Sequence, residues 1–147
     1  MFLKDFIIFH DSLRKPVISS KRKFGIYPYY GAQGIVDFVD DFIFDGKFVL
    51  LAEDGNNLSL QNEDISRIAH GKFWVNNHAH VLTTNKDMIL EYLNYFLNSI
   101  DITPYITGSA QPKLNKENVS KIKIEPHSYE EQQHIVNSIN REVKYAC

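Results

Sequence analysis

A short polar segment, residues 107–114, carries the side chains whose types and spacing best suit a chemical role, and it reads T-G-S-A-Q-P-K-L. Gly, Ser and Pro favour turns, so the segment predicts a loop and not a core element. A Gln carboxamide can pair with the edge of adenine in the major groove, and a Lys ammonium can contact guanine or phosphate. We therefore expect the 107–114 loop to offer Ser109, Gln111 and Lys113 to DNA.

A second candidate is the run Asn77-His78-Ala79-His80. On a β-strand, His78 and His80 would share one face, which suits two metal ligands. A complete metal site needs a third or fourth ligand, and the sequence places no Cys, His or Glu in an obvious position to supply it. We interpret Asn77, His78 and His80 as lying on a polar, DNA-facing side of a strand. A small metal-dependent nuclease that uses the two histidines is kept as the alternative.

The segment Asp101-Ile102-Thr103-Pro104-Tyr105 is faintly similar to the N/D-P-P-Y/F motif of amino-methyltransferases. Thr103 stands where that motif has a proline that helps to hold the target amine. No glycine-rich cofactor loop precedes it. The sequence therefore predicts a chain without catalysis of its own and without a bound cofactor.

The formal net charge is small, but the charged residues are distributed unevenly along the chain. Sixteen basic and eighteen acidic side chains give a formal net charge of −2, whereas a nucleic-acid-binding domain is usually basic. Basic residues crowd two segments, which are Arg14, Lys15, Lys21, Arg22 and Lys23 in an early loop and Lys113, Lys116, Lys121 and Lys123 in a late one. If the fold brings these segments together, they form a local positive face that can contact phosphates. The alternative is two solvated lysine-rich loops.

Length and composition set the broad class. The chain has 147 residues, 44% of them hydrophobic and 23% charged, which predicts one folded domain. Its single cysteine, Cys147, excludes an internal disulfide framework and fits a reducing cytoplasm. No apolar run approaches the roughly 20 residues that a membrane span needs.

Elements that could position these residues are indicated by hydrophobic spacing and turn residues. Strands are expected at 35–44 and 47–52, joined by a hairpin at Asp45-Gly46, and again at 66–69 and 72–82. Residues 2–9 start the domain with a helical turn that runs into a strand, residues 11–23 form an irregular basic loop, and residues 25–34 form a constrained turn. A polar loop is expected at 53–63, a short strand at 105–106 and a last strand around Ile122 and Ile124. Helix 85–99 is predicted from the apolar stripe Ile89, Leu93, Phe96, Leu97 and Ile100.

Aromatic residues divide between core and surface. Phe73, together with Val75, is the expected core residue of its strand, with Trp74 on the other face. Tyr27, Tyr29 and Tyr30 could offer hydroxyls to phosphates or rings to an unstacked base, but packing is the expected role for two of the three. We take Tyr30, with the nearby Gln33, as DNA-facing.

The C-terminal segment predicts a helix that begins at a capping box formed by Ser128 and Glu131. Beyond it, a narrow apolar seam of coiled-coil spacing consists of Val136, Ile139, Val143 and Ala146. About two heptads are too short to be stable alone, so the seam predicts a contact with a partner. A domain whose function is helix-mediated protein interaction is a further alternative.

Four stretches, taken together, resemble the DNA specificity (S) subunit of type I restriction-modification systems. They are Y-P-Y-Y-G-A-Q-G-I at 27–35, F-D-G-K-F-V-L-L-A-E-D-G at 44–55, G-K-F-W-V-N-N-H-A-H-V-L at 71–82, and the 107–114 loop followed by E-E-Q-Q from Glu130. They occur in the order of that family and roughly at its spacing, and they span nearly the whole chain as one target recognition domain.

This resemblance implies an α+β domain with a twisted, mostly antiparallel sheet, one main packed helix and the start of a C-terminal spacer helix. Residues 1–127 would form the recognition domain and residues 128–147 the start of the spacer. The implied function is to read half of a bipartite site in double-stranded DNA for a methyltransferase and, in some systems, a nuclease. The implied partners are a methyltransferase (M) subunit and a second recognition domain or a copy of the chain, which pairs through the spacer helix.

Overall fold

A computed structural model describes residues 1–108 and 110–146, with side chains described up to residue 142. Within these residues, six strands form one sheet in the order β1-β6-β4-β5-β2-β3. The strands are β1 (Ile7–Phe9), β2 (Phe24–Gly31), β3 (Gly34–Val39), β4 (Phe44–Ala52), β5 (Ser66–Val75) and β6 (Ala79–Thr84). All neighbours pair antiparallel except β2 and β5, which run parallel. The predicted α+β class with a mostly antiparallel sheet is therefore confirmed.

Within the described part of the chain, four helices accompany the sheet, of which one packs on β4, β5 and β6 and another forms the C-terminal part of the chain. They are α1 (Asn57–Leu60), α2 (Leu90–Ser99), α3 (Lys116–Ser120) and α4 (Tyr129–Ala146), with short 3-10 turns at Leu3–Asp5, Asp11–Leu13, Ser19–Lys21 and Thr103–Tyr105. Helix α2 buries Tyr92, Leu93 and Leu97 against the sheet. This is the main packed helix that the apolar stripe predicts, although it begins at Leu90 and not at residue 85.

The core consists of two apolar clusters. Successive side chains of a strand point to opposite faces of the sheet. In β4 this alternation sends Val49 and Leu51 into the larger cluster with α2, while Leu50 enters a smaller one. The smaller cluster contains Phe73, stacked on Phe44 with ring centroids 5.5 Å apart. The prediction that Phe73 belongs to the core is confirmed.

The predicted hairpin at Asp45-Gly46 is wrong. Strand β4 runs straight through these residues, and Gly46 lies opposite Gly71 of β5. Both glycines have a positive φ, +145° for Gly46 and +95° for Gly71, which other residues rarely adopt. Here the glycines keep two long strands paired and do not reverse the chain. For the same reason β5 is continuous across Gly71, where the sequence predicted a break.

Residues 25–34 are also not a turn. Most of them form β2, which pairs with β5 through Tyr29 and Trp74 and with β3 along its other edge. Three tyrosines and an isoleucine favour a strand, and two pairing partners outweigh the local turn propensity of the glycines and Pro28. The predicted strand at 105–106 is likewise replaced by the 3-10 turn at Thr103–Tyr105.

Helix α4 begins as predicted and then packs on its own domain. The amide of Glu131 donates to Ser128 Oγ at 3.2 Å, which completes the predicted cap. Gln132 is buried, and its carboxamide accepts from the Ile89 amide and donates to the Asp87 carbonyl. Val136 is only 4% exposed and belongs to the larger core cluster. The prediction that Val136 belongs to a partner-facing seam is therefore wrong, because α2 covers this face of the helix.

Two other members of the predicted seam lie outside the described side chains. Ile139 is partly exposed, whereas the side chains of Val143 and Ala146 fall beyond residue 142. No helix among the described residues has the length and apolarity needed to cross a bilayer.

Candidate nucleic-acid interface

The 107–114 loop is closed at its base by a pair of backbone hydrogen bonds. The Thr107 amide donates to the Lys113 carbonyl at 2.9 Å, and the Lys113 amide donates back to Thr107 at 2.8 Å. Gly108 has a φ of +81°, and a Cβ atom there would lie 2.6 Å from the Gln111 carbonyl oxygen. The turn therefore requires glycine at this position. Ser109, a predicted contact residue, lies outside the described residues.

The end of this loop is fixed to the sheet. The Leu114 amide donates to the Glu53 carbonyl at 2.7 Å, and the Gly55 amide donates to the Pro112 carbonyl at 3.1 Å. Leu114 is fully buried in the larger core cluster. Gln111, by contrast, is exposed. The loop is thus a short projection on a rigid base, which is how a domain presents polar side chains to a partner.

A cavity of about 280 Å³ lies beside the loop and joins two of the predicted segments. Its lining consists of Asp54, Gly55, Asn56, His78, Gln111 and Pro112. His78 Nδ1 lies 2.7 Å from Asp54 Oδ2, and the ring is half-exposed. Asn77 next to it is exposed. The tertiary structure therefore places His78 and Gln111, which are far apart in sequence, at one concave surface.

His78 and His80 do not share a site, contrary to the expectation for a regular strand. His78 lies in the turn before β6, whereas His80 lies within β6 and is fully buried. His80 Nδ1 lies 2.7 Å from Asp11 Oδ2, and His80 Nε2 lies 2.6 Å from the Leu114 carbonyl oxygen. The prediction that His80 faces DNA is wrong, because the sheet and the end of the 107–114 loop cover it. The two-histidine metal site of the nuclease alternative is not formed.

Asp11, Arg14, Glu53 and His80 form one charged group, the His80 cluster. Arg14 Nη2 lies 3.1 Å from Glu53 Oε1 and 3.9 Å from Asp11 Oδ2. Arg14 Nη1 also donates to the Ala79 carbonyl at 2.9 Å. Arg14 was predicted to contact DNA, but its guanidinium is mostly buried in this cluster. Its role in this structure is to pair with two carboxylates.

The same cluster offers atoms of the kind that bind metal ions. One ligand atom each from Asp11, Glu53 and His80 lies within 4.8 Å of the other two. Arg14 already supplies a positive charge at both carboxylates. We therefore interpret the group as an ion-pair cluster. The sequence analysis missed the roles of Asp11 and Glu53, because residues 11, 53 and 80 are too far apart in sequence to show a local pattern.

Asp11 is ionised in this setting. Burial acts to raise the pKa of its carboxyl group. The hydrogen bond and charge of His80, the Val81 amide and the charge of Arg14 outweigh that effect and lower the pKa below its ordinary value of 3.8. The Val81 amide donates to Asp11 Oδ1 at 2.8 Å. Asp11 is thus held as a carboxylate acceptor from both sides.

The early basic segment is a loop that contacts the sheet near its start, at Lys15, and near its end, at Arg22. The Lys15 amide donates to the Val75 carbonyl, and Trp74 Nε1 donates to the Lys15 carbonyl at 2.7 Å. Arg22 lies 4.4 Å over the Tyr29 ring and 3.3 Å from an Asp37 carboxylate oxygen. Arg22 was predicted to contact DNA, but most of its side chain is buried in these contacts. Lys15, Lys21 and Lys23 are exposed.

The two basic segments meet at His80. Asp11, at the start of the early loop, and Leu114, at the end of the 107–114 loop, bond to opposite nitrogens of this one ring. Lys113, which is exposed, is therefore brought towards the start of the early loop. Lys121 instead pairs with Glu117 of its own helix at 3.2 Å, so it belongs to a local surface pair.

Tyr30 lies near the end of β2, where its carbonyl accepts from the Asn76 amide at 3.0 Å, and Gln33 lies on the turn after β2. The Tyr30 ring is partly buried and meets Phe73 edge-on at 5.5 Å. Burial raises the pKa of Tyr30, and the charge of Arg67 lowers it by less, so its hydroxyl stays protonated. Gln33 is exposed, and its carbonyl accepts from Arg67 at 3.1 Å.

Comparison with protein families decides the identity of this fold. The family model described as the type I restriction modification DNA specificity domain matches residues 1–141. The chain belongs to this family. A putative type I restriction enzyme specificity subunit of Haemophilus influenzae is 41% identical over 114 residues, which is 78% of this chain. The type I restriction enzyme EcoprrI specificity subunit of Escherichia coli is 25% identical over 125 residues, or 85% of this chain.

The match to this chain covers less than a third of the length of those relatives, 29% of the first and 30% of the second. Among solved structures, the S subunit of a type I restriction-modification system from M. genitalium matches 95% of this chain with a TM-score of 0.76 and 15% identity. The HsdS subunit from Thermoanaerobacter tengcongensis matches 99% with a TM-score of 0.62 and 13% identity. The chain covers 37% of each. At these identities the likeness establishes the shared fold.

Proposed function

We propose that this chain is a target recognition domain that reads one half of a bipartite DNA site for a type I restriction-modification complex. The observation that carries the proposal is the cavity where Gln111 of the 107–114 loop meets His78. Both side chains are exposed, and both are held by backbone that is bonded to the sheet. Rigid polar groups of this kind are suited to base contacts, because little side-chain and loop freedom is lost when DNA binds.

Phosphate contacts would come from exposed lysines of the two basic segments. Lys113 lies on the 107–114 loop, and Lys15, Lys21 and Lys23 lie on the early basic loop. Such contacts position a protein on the duplex without carrying sequence information, whereas the carboxamide of Gln111 can distinguish bases. Arg14 and Arg22 are left out of this group because their guanidiniums are engaged within the protein.

In this proposal the chain contributes recognition only, in the cytoplasm, and methyl transfer belongs to an M subunit. The sequence relatives are specificity subunits, and the chain covers less than a third of each. A second recognition domain, or a copy of this chain, would supply the other half-site through α4. Since Val136 is covered by its own domain, the partner-facing seam would begin at Ile139 and continue to Val143 and Ala146.

The decisive experiment is methylation-site mapping in cells that carry the chain together with its M subunit. Wild type should direct methylation to one defined sequence. Gln111→Ala should keep methylation but accept more than one base at a single position of the half-site. Gln133→Ala, which removes an exposed glutamine from α4, is the matched control and should leave the mapped site unchanged. Unchanged specificity in Gln111→Ala would remove Gln111 from the proposed readout.

A further inference from the structure

The two contacts of the buried His80 ring determine how many protons the ring and its partners must share. His80 is fully buried, and both of its nitrogens lie at hydrogen-bond distance from oxygen atoms. The Leu114 carbonyl can only accept. An ionised Asp11 carboxylate can also only accept. A neutral imidazole carries one N–H and can therefore satisfy only one of these two contacts, so a second proton must lie either on the ring or on Asp11.

The surroundings favour the ring. Asp11 Oδ1 already accepts from the Val81 amide, and Arg14 lies near the other oxygen, so both favour the carboxylate form of Asp11. With Glu53 and Asp11 negative and Arg14 positive, a positive His80 makes the cluster neutral. Buried charges are tolerated when they are paired in this way.

We infer that His80 is a positioning residue for DNA recognition, which carries a proton on each ring nitrogen and through them ties the 107–114 loop to the start of the early basic loop. The inference rests on the proposed function in one respect, that the 107–114 loop contacts DNA. Gln111 lies three residues before Leu114, and the Thr107–Lys113 bridge makes the intervening loop rigid. The His80 contacts therefore fix where Gln111 lies relative to the lysines of the early loop.

A pH dependence follows from this arrangement. Loss of the second proton leaves the one remaining N–H on Nδ1, towards the Asp11 carboxylate, because this is the stronger acceptor. The Nε2 lone pair then faces the Leu114 carbonyl oxygen, which is repulsive, so the link to the 107–114 loop weakens when that proton is lost. The groups that face His80 are Asp11 and Arg14 from the early loop, Glu53 after β4, the Leu114 carbonyl, and the Phe9 ring of β1 at 5.8 Å. Lys116 in turn lies over the Phe9 ring, with its Nζ 5.0 Å from the ring centroid.

The protonation of the ring is tested directly by nitrogen-edited NMR on the full 147-residue chain. Among the six histidines of the chain, His80→Gln serves to assign the signals of the buried ring and His78→Gln those of the ring at the cavity. We expect His80 to show two ring N–H groups in the folded protein at about pH 6 to 7. A ring with a single N–H throughout that range, or zinc bound in stoichiometric amount by the purified protein, would overturn the inference.

The positioning role is tested with two variants at the same contact. His80→Gln removes one donor, and it should speed amide exchange at Thr107 and Lys113 and lower the discrimination between cognate and single-base-variant DNA by roughly tenfold, as for one lost base contact. Asp11→Asn is the matched variant. Its amide can donate to a neutral His80 while its oxygen still accepts from Val81, so discrimination should be retained and its pH dependence lost.

The outcomes separate the inference from the function on which it rests. Wild-type discrimination that falls as the pH rises, with a flat profile in Asp11→Asn, supports the positioning role. Equal pH profiles in wild type and Asp11→Asn overturn it. No discrimination at any pH in the complex with the M subunit overturns the proposed function and the role in recognition, while two N–H signals would still support the protonated link.

Discussion

Val136→Ala is the substitution that best separates packing of α4 on its own domain from pairing with a partner. Val136 is buried in the core beneath α2, at 4% exposure. The change removes two methyl groups. At about 0.8 kcal/mol for each buried methylene-sized group, with a further term for the cavity left behind, the free energy of unfolding should fall by about 2 kcal/mol. For a domain of this size that corresponds to a loss of roughly 4–8 °C in Tm.

The polar contacts of α4 sharpen this expectation. Gln132, one turn before Val136, is buried and bonds to the Ile89 amide at 2.9 Å and to the carbonyls of Asp87 and His127. These bonds hold the first turns of the helix against the loop before α2. The helix therefore cannot shift to fill the cavity without breaking these hydrogen bonds. The free energy of unfolding should fall by the full amount.

Urea unfolding followed by circular dichroism, with sedimentation in parallel, measures both consequences. Val136→Ala should lower the midpoint with an unchanged slope and leave assembly as in wild type. Ile139→Ala, at a partly exposed position three residues on, is the matched control and should change stability by less than about 1 kcal/mol. An unchanged midpoint in Val136→Ala, together with impaired assembly, would refute the packing seen here and restore Val136 to the partner-facing seam.

The other predictions concern DNA binding, assembly and acid stability. If four to six phosphates are neutralised, log K should fall against log salt with a slope of roughly −4 to −5, and Lys113→Ala should flatten it by about one unit while weakening all sequences alike. Arg14→Ala should instead lower the thermal stability, because it removes the positive charge that pairs with Glu53 at 3.1 Å and lies near Asp11. Gln111→Ala should cost about 1–3 kcal/mol of discrimination at one base in a panel of site variants. Ile139→Glu should abolish assembly in sedimentation while the domain still melts cooperatively. Because the pKa of Asp11 is lowered on folding, its stabilising effect should be complete above the unfolded pKa and disappear as the pH falls through the folded one, and acid melts of Asp11→Asn should lack that step.

Three outcomes would contradict these expectations. A salt slope near zero would mean that phosphates contribute little. Equal losses on every site variant for Gln111→Ala would make it a structural loop residue. Melting of the monomer by Ile139→Glu with assembly intact would mean that α4 packs on its own domain over its whole length.

The sequence by itself determined the features whose signals are local. The stripe through Leu93 and Leu97 predicts the buried face of α2, and the cap at Ser128 marks where α4 begins. The glycine and proline of the 107–114 loop predict a projection, because their backbone preferences act within a few residues. Four motifs in order were enough to indicate the family, since each reflects a short stretch of chain.

Only the tertiary structure decided the strand pairing and the environment of the charged residues. Asp45-Gly46 has the local signature of a hairpin, yet it lies inside β4 because β5 pairs with that strand across these two residues. His80 and Arg14 are polar in sequence and were assigned to the DNA surface, yet contacts from residues 11, 53 and 114 bury them. The two groups that bond to the His80 ring are 34 and 69 residues away along the chain, so no pattern within a short window can encode its burial. For this chain, local sequence determines which loop projects, and long-range packing determines which of its charged side chains remain exposed.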